Sequence, residues 1–214
     1  MTTGVAVVGA GSWGTAIASL LSRQSRTVLW ARRSELAAEI TSSHRNPSYL
    51  SEFELPEQLV ATASLDEALE GAGVVVMAVP SHGFRDILTS TLGVLGDGVP
   101  VISLAKGLEA ATLKRMTEIV EEIAPGHPAG VLTGPNLASE VIAGQPTASV
   151  LALCDQSLAS RLLPTFSTDL FRVYTNTDVV GCEIAGALKN VIAIAAGIAL
   201  GLGFGDNTRA ALVT

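Results

Sequence analysis

Short apolar runs alternate with amphipathic stretches along most of the chain. Runs that are apolar throughout predict buried strands, and apolar positions three and four residues apart predict helices. The predicted strands lie at 5–8, 27–30, 59–61, 74–79, 99–104, 131–132, 149–153 and 170–174. The predicted helices between them lie at 15–23, 34–41, 66–69, 82–95 and 113–123, followed by a short helix that ends at 142 and one at 158–166. This order predicts an α/β fold with a Rossmann-type, doubly wound, mainly parallel sheet whose crossovers are right-handed.

The alternation stops near residues 174–178, where a long helix is predicted to begin at Thr177 or Asp178 and to run to about residue 200. We therefore predict an α/β domain over 1–176 and the beginning of an all-helical domain, left incomplete, over 177–214. The charge-free stretch 191–204 is shorter than the roughly 20 residues that a bilayer requires. It predicts a helix buried in protein, with no membrane span. The predicted packing stripe is Ile184, Leu188, Val191, Ala195, Ile198 and Leu202.

Composition narrows the classes of partner. Hydrophobic residues make up 48% and charged residues 15% of the chain, which argues against disorder. A net charge of −7 does not favour a nucleic acid or an anionic membrane as partner. Cys154 and Cys182 lack the spacing of metal ligands, so we expect buried thiols and no metal site. Reduced thiols and the absence of a recognisable secretion signal favour the cytoplasm.

A glycine-rich segment follows the first predicted strand and opens the first predicted helix. Gly9, Gly11 and Gly14, with Ser12 and Trp13 between them, fit the pattern G-x-G-x-x-G. The first glycine permits a tight turn, the second admits a pyrophosphate, and the third allows close packing of helix on strand. The helix N-terminus then offers free N–H groups to phosphate. This context favours a dinucleotide site over a tight turn without a ligand, and makes 1–176 a dinucleotide-binding domain.

The end of the second strand indicates which dinucleotide is bound. An acidic residue there is typical of NAD sites, whereas this chain carries Arg32 and Arg33. Guanidinium groups pair well with a 2′-phosphate, so the sequence favours NADPH over NADH. A solvated pair of charges at a helix start is the alternative.

Two lysines are candidates for substrate chemistry. Lys106 follows a predicted strand, at the edge where open α/β sheets bind ligands, although a surface lysine is equally compatible with its position. Lys189 interrupts an apolar helix beside small residues, which leaves room for a ligand. It is a candidate proton donor or acceptor, or alternatively a lysine that extends its amine to solvent.

Several motifs together resemble the bacterial NAD(P)-dependent glycerol-3-phosphate dehydrogenases. They are GAGSWGTA, NPSYL, AVPS, SLAKGLE, LTGPNLASE and GCEIAGALKNVIAIAAGI, and they span the whole chain. The resemblance implies a Rossmann domain followed by a helical domain. It also implies interconversion of dihydroxyacetone phosphate and sn-glycerol 3-phosphate, which supplies phospholipid synthesis.

The resemblance also implies roles for individual positions. Lys189 corresponds to the family's catalytic acid or base, and Lys106 to a residue that contacts both cofactor and substrate. Gly134 and Asn136 correspond to substrate-side positions. Ser12, Trp13, Arg32, Arg33, Tyr49 and Ala138 correspond to dinucleotide contacts. The family's phosphate-binding cluster is expected beyond Thr214, and no such role is transferred to residues 206–209.

Two alternatives remain open from the sequence. A β-hydroxyacid or 6-phosphogluconate-type dehydrogenase also pairs a helical lysine with an asparagine, although the adjacent Lys189 and Asn190 and the segment GPNLA argue against it. A nucleotide-binding module without catalysis is the second alternative, because the 214 residues lack the expected phosphate-binding region. The partner is then a phosphorylated triose or the nucleotide alone. A homodimer is compatible with either.

Overall fold

The computed structural model describes residues 4–214, and eight strands in it form one sheet. The strands are β1 Val5–Val8, β2 Thr27–Trp30, β3 Val60–Thr62, β4 Val74–Met77, β5 Val101–Ser103, β6 Ala129–Thr133, β7 Thr147–Leu153 and β8 Phe171–Asn176. Their spatial order is β3-β2-β1-β4-β5-β6-β7-β8. The reversal of order between β1 and β4 is the switch point of a Rossmann-type sheet, so the predicted fold class is confirmed.

Helices connect the strands and cover both faces of the sheet. They are α1 Ser12–Ser22, α2 Ser34–Ser43, α3 Leu65–Leu69, α4 Ser81–Thr91, α5 Met116–Ile123, α6 Ala138–Ile142, α7 Gln156–Phe166, α8 Val179–Gly201 and α9 Asp206–Val213. β1 and β4 are buried along their whole length because helices pack on both sides of them. Two apolar clusters result, one containing Ile17 and Leu29 and the other containing Phe84 and Met77.

One connection departs from the predicted parallel pattern. β7 runs antiparallel to β6, with Gly130 opposite Leu153 and Thr133 opposite Val150. The connection between these strands contains the five-residue α6, which packs against α1. β7 and β8 are again parallel, and the 11-residue α7 connects them.

The prediction that α8 is buried in protein is wrong for the described chain. Of the predicted stripe, Leu188, Val191, Ile198 and Leu202 are each at least 50% exposed. The face that packs on the sheet instead carries Val179, Cys182, Glu183 and Gly186, while Ala199 is buried near α9. This face of the helix contacts β6 and β7.

The length and composition of α8 also meet the criteria for a membrane span. Its most apolar window has a mean hydropathy of 1.8, and 6% of that window is buried. Buried core helices meet the same criteria, whereas most of this window is exposed in the described chain. The buried Glu183, described below, joins the first turns of α8 to the α/β domain. The N-terminal part of this helix therefore packs on protein.

The two cysteines differ from the expectation of buried thiols. Cys154 is exposed, and Cys182 is half-buried against β6 and β7. Both are free thiols. Burial raises the pKa of the Cys182 thiol, with smaller contributions from the carboxylates of Asp178 and Glu183.

Candidate functional site

The glycine loop has the geometry that its sequence predicts. Gly9 has a φ of +121°, and a methyl group at Gly14 would lie 1.9 Å from the Gly9 carbonyl oxygen. Neither position can therefore carry a side chain without rearrangement. A methyl group at Gly11 would meet nothing within 4 Å, so the outer side of the turn is open. Gly11 is also the N-cap of α1 and provides no side-chain acceptor to the first turn. This open turn suits a pyrophosphate.

A second loop is fastened to the glycine loop by one buried side chain. The Asn46 amide donates to the Ala10 carbonyl at 3.1 Å and to the Thr15 hydroxyl at 2.8 Å. Its oxygen accepts from the backbone N–H groups of Ser48 and Tyr49. Asn46 is fully buried, and its side chain therefore sets the distance between the segment NPSYL and the dinucleotide turn.

The two arginines after β2 lie beside this loop. Arg33 donates from Nη2 to the Ser48 hydroxyl at 2.6 Å, and both Arg32 and Arg33 are exposed. Tyr49 is 45% exposed on the same loop. The structure thus brings three of the predicted dinucleotide contacts, Arg32, Arg33 and Tyr49, to one region beside the glycine loop.

The loop that carries Lys106 leaves the sheet between β5 and α5. Gly107 has a φ of +145°, and a methyl group there would lie 3.0 Å from the Ser81 hydroxyl oxygen, after β4. The Lys106 amine donates to the Gly134 carbonyl at 3.2 Å. Partial burial of the amine, and secondarily the charge of Lys189, lower the pKa of Lys106.

An ion-pair cluster holds the far side of the same loop. Arg85 binds Glu109 with Nε at 2.7 Å and Nη2 at 3.0 Å, and it also binds Glu122. The hydroxyl of Thr112 donates to Glu109 as well. Hydrogen bonds from Arg85, and then from Thr112, lower the pKa of Glu109 to about 2. The cluster fixes the three residues that follow Lys106 against α4 and α5.

Asn136 lies at the predicted edge of the sheet, but its amide contacts protein. Its Nδ2 donates to the Ala148 carbonyl at 2.9 Å, and its oxygen accepts from the Ser149 hydroxyl at 2.6 Å. The side chain is buried and ties the turn after β6 to β7. That turn presents the Gly134 carbonyl to Lys106. Ala138 begins α6, which packs against α1.

α8 crosses the sheet above the end of β6. A methyl group at Gly186 would lie 3.0 Å from the Thr133 hydroxyl oxygen, so the helix backbone lies directly on the last residue of β6. Lys189 is one turn further along the same face and is exposed in the described chain. Its charge is a secondary cause of the lowered pKa of Lys106, which lies at the same edge of the sheet.

Sequence reasoning missed three residues at this site. Asn46 lies in the motif NPSYL, but of that motif only Tyr49 was assigned a role. Glu183 is a lone carboxylate in an apolar helix. A charged residue in an apolar helix is the same signal that identified Lys189, and it could have identified Glu183 as well. Arg85 gave no signal, because its partners lie 24 and 37 residues away in the chain.

A separate cavity of about 460 Å³ lies on the outer side of α1. Its lining includes Leu20, Arg23, Gln145 and Asp169 and contains none of the predicted site residues. The predicted residues converge instead on the open carboxyl edge of the sheet.

Comparison with known proteins shows the family. Residues 4–159 match the model of the NAD-dependent glycerol-3-phosphate dehydrogenase N-terminus, and residues 178–214 match that of the C-terminus of the same family. A glycerol-3-phosphate dehydrogenase (NAD(P)+) 2 of Sphingopyxis alaskensis is 54% identical over 210 residues, which are 98% of the chain. A glycerol-3-phosphate dehydrogenase (NAD(P)+) of Mycobacterium avium is also 54% identical over 210 residues, again 98% of the chain.

A solved structure agrees over the whole chain. The glycerol-3-phosphate dehydrogenase of Coxiella burnetii superposes with a TM-score of 0.90 at 36% identity, over 99% of this chain and 65% of that one. The chain spans 63% of the length of the Sphingopyxis protein and 62% of the Mycobacterium protein.

Proposed function

The chain belongs to the NAD-dependent glycerol-3-phosphate dehydrogenase family, and from this premise we propose that its protein transfers a hydride between NAD(P)H and a phosphorylated triose. The substrate pair is dihydroxyacetone phosphate and sn-glycerol 3-phosphate, and the product supplies phospholipid synthesis in the cytoplasm. The domain boundary is proposed at 176, where the last strand ends.

One observation carries the proposal: α8 lies on the last residue of β6 and so brings Lys189 to the sheet edge at which the Lys106 amine donates to the Gly134 carbonyl. Lys106 is held by the Gly134 carbonyl, and the charge of Lys189 reaches it from α8. An anionic triose phosphate is attracted to two neighbouring ammonium groups, and a ketone oxygen needs one of them where negative charge develops.

The residues of the chain divide the chemistry between binding and proton transfer. Bound NADPH supplies the hydride that reaches the ketone carbon. Lys189, as an ammonium group, donates a proton to the ketone oxygen as its negative charge grows, which contributes on the order of 10²–10⁴-fold. Lys106 orients the substrate, and Gly9, Gly11, Ser12, Trp13 and Gly14 hold the pyrophosphate at the start of α1. In the reverse direction, Lys189 as a free amine accepts the proton of the alcohol.

NADPH is the proposed preferred cofactor. Arg33 is held by Ser48 above the end of β2, and Arg32 beside it is exposed. Guanidinium groups in these positions suit a 2′-phosphate, and Tyr49 and Ala138 complete the proposed dinucleotide contacts.

Substrate profiling of the complete gene product tests the reaction. In the direction of alcohol oxidation, we expect reduction of NADP⁺ with sn-glycerol 3-phosphate and none with a β-hydroxyacid or 6-phosphogluconate. Turnover of a substrate without phosphate would place the protein in the β-hydroxyacid class instead.

The 214 residues alone are proposed to bind NADPH and to turn over poorly. The family's expected phosphate-binding cluster is not among them, and α8 is exposed along most of its length. A preparation verified by mass to end at Thr214 should quench or enhance NADPH fluorescence on titration but oxidise it slowly with substrate. Full activity from that preparation would refute this proposal.

A further inference from the structure

Glu183 is a charged residue that the proposed reaction does not use, yet it is buried. Within residues 4–214 it is the one charged residue in the buried class, and its side chain is 5% exposed. A carboxylate is costly to bury unless hydrogen bonds and an opposite charge compensate it. The contacts of the Glu183 carboxylate therefore indicate its structural role.

The compensation comes from the start of α5. Glu183 accepts from the Thr117 backbone N–H at 3.0 Å and from the Thr117 hydroxyl at 2.5 Å. Arg115, the N-cap of α5, donates from Nη1 to the same carboxylate at 2.8 Å. The positive end of the α5 dipole adds to this attraction. The carboxylate thus joins α8 to α5 across the sheet edge.

The position of this link along α8 connects it to the proposed acid. One face of α8 carries Glu183, Gly186 three residues later and Asn190 four residues after that. Lys189 lies at the border of this face. Gly186 rests on Thr133 at the end of β6. From Leu188 to Ile198 most side chains are exposed. In the described chain, the position of the Lys189 amine therefore depends on the contacts that the first two turns of α8 make.

We propose that the bridge from Glu183 to Arg115 and Thr117 is a positioning device that fixes the rotation of α8 and thereby holds the Lys189 amine beside Lys106. The inference rests on the proposed function for its kinetic consequence. Loss of the bridge lets the helix turn or lift, and a displacement of about 1 Å at a reacting group can cost on the order of 10²-fold in rate.

A double-mutant cycle separates positioning from general stability. In the complete gene product we expect Glu183→Gln to lower kcat by roughly 10- to 100-fold, with the Kd for NADPH unchanged. In the Lys189→Ala background the same substitution should have no further effect, because the amine that it positions is absent. An equal loss in both backgrounds would overturn the inference.

A second, milder variant keeps the test valid if Glu183→Gln fails to fold. Thr117→Val removes one hydroxyl donor, keeps the side-chain shape, and should give a smaller loss of kcat that also disappears in the Lys189→Ala background. Glu121→Gln removes an exposed negative charge from α5 and serves as the control that should match wild type. Wild-type kcat in both Glu183→Gln and Thr117→Val would contradict the proposal.

A titration that needs no turnover distinguishes this inference from the proposed function. The chain has three lysines, Lys106, Lys114 and Lys189, which can be followed by NMR as ¹³C-dimethylated amines. We expect the pKa of Lys106 to rise in Thr117→Val, which changes no charge, and we expect the same direction for Lys189→Ala, because the neighbouring ammonium group moves away or is lost. An unchanged Lys106 titration would sink the positioning role, whereas inactivity of the wild-type protein towards dihydroxyacetone phosphate would sink the proposed function alone.

Discussion

At the scale of single residues, two buried polar side chains organise the site without being exposed to a ligand. Asn46 satisfies its amide on both sides of the glycine loop, and Asn136 does the same for the turn that carries Gly134. Such groups are recognisable in a structure by their burial and partners. The sequence indicates only that an amide is present, because the same residue in a solvated loop would look identical.

Replacement of Asn46 by alanine should lower both stability and cofactor affinity. It removes the partner of two backbone N–H groups and of the Thr15 hydroxyl, a loss of about 1–3 kcal/mol in the free energy of unfolding. Denaturant unfolding and an NADPH titration would measure the two effects. Ser51→Ala, an exposed change nearby, is the control; equal NADPH affinity in both variants would show that the loop acts independently of the cofactor site.

Replacement of Arg32 by alanine should weaken NADPH binding more than NADH binding. A hydrogen bond to a charged group contributes about 1.5–3 kcal/mol, so the ratio of the two Kd values should shift by roughly 10- to 100-fold. Arg161→Ala on α7 is a matched control, because it removes an exposed arginine away from β2. An equal change in both affinities would mean that Arg32 does not contact the 2′-phosphate.

At the scale of elements, the sequence predicted the strands and turns that short-range residue patterns determine. The buried strands β1, β2 and β4 and the turn after β1 follow from apolar runs and glycine spacing. The direction of β7 did not follow, because a buried strand has the same apolar pattern whether it runs parallel or antiparallel to its neighbour. The face on which α8 packs did not follow either, since it is chosen by partners far away in sequence, Arg115 and Thr133.

The loop after β5 should be stabilised by Glu109 in a pH-dependent way. Arg85 and Thr112 depress the folded pKa of Glu109 to about 2, below the ordinary value near 4.3. The contribution is therefore present in full above the ordinary value and is lost as the pH falls towards 2. The difference in unfolding free energy between wild type and Glu109→Gln should stay constant from pH 7 to about 5.5 and shrink below that. A difference that persists unchanged at pH 3 would contradict the ion-pair assignment.

At the scale of the whole molecule, the structure consists of a packed α/β domain and two helices with uncovered apolar surface. Ile194, Ile198 and Leu202 are each more than half exposed. A contiguous apolar surface of this kind favours association. The family resemblance predicted both the Rossmann domain and the helical one. The exposure of α8 could not be predicted from its own sequence, because it depends on which other residues pack against the helix.

The 214-residue polypeptide should associate through this surface. Sedimentation velocity is expected to show concentration-dependent species larger than a monomer of 22.0 kDa. Ile194→Glu with Ile198→Glu should shift the distribution towards the monomer, because charged side chains do not pack on an apolar face. A wild-type polypeptide that remains monomeric at all concentrations would show that the surface is not adhesive.

The central claim is that an amine from α8 transfers the proton at the mouth of the dinucleotide-binding sheet. The most direct measurement compares kcat and the Kd for NADPH of Lys189→Ala with those of wild type in the complete gene product. We expect kcat with dihydroxyacetone phosphate to fall by on the order of 10²–10⁴-fold while NADPH binding is retained. Unchanged kcat in a variant that binds NADPH normally would contradict the account.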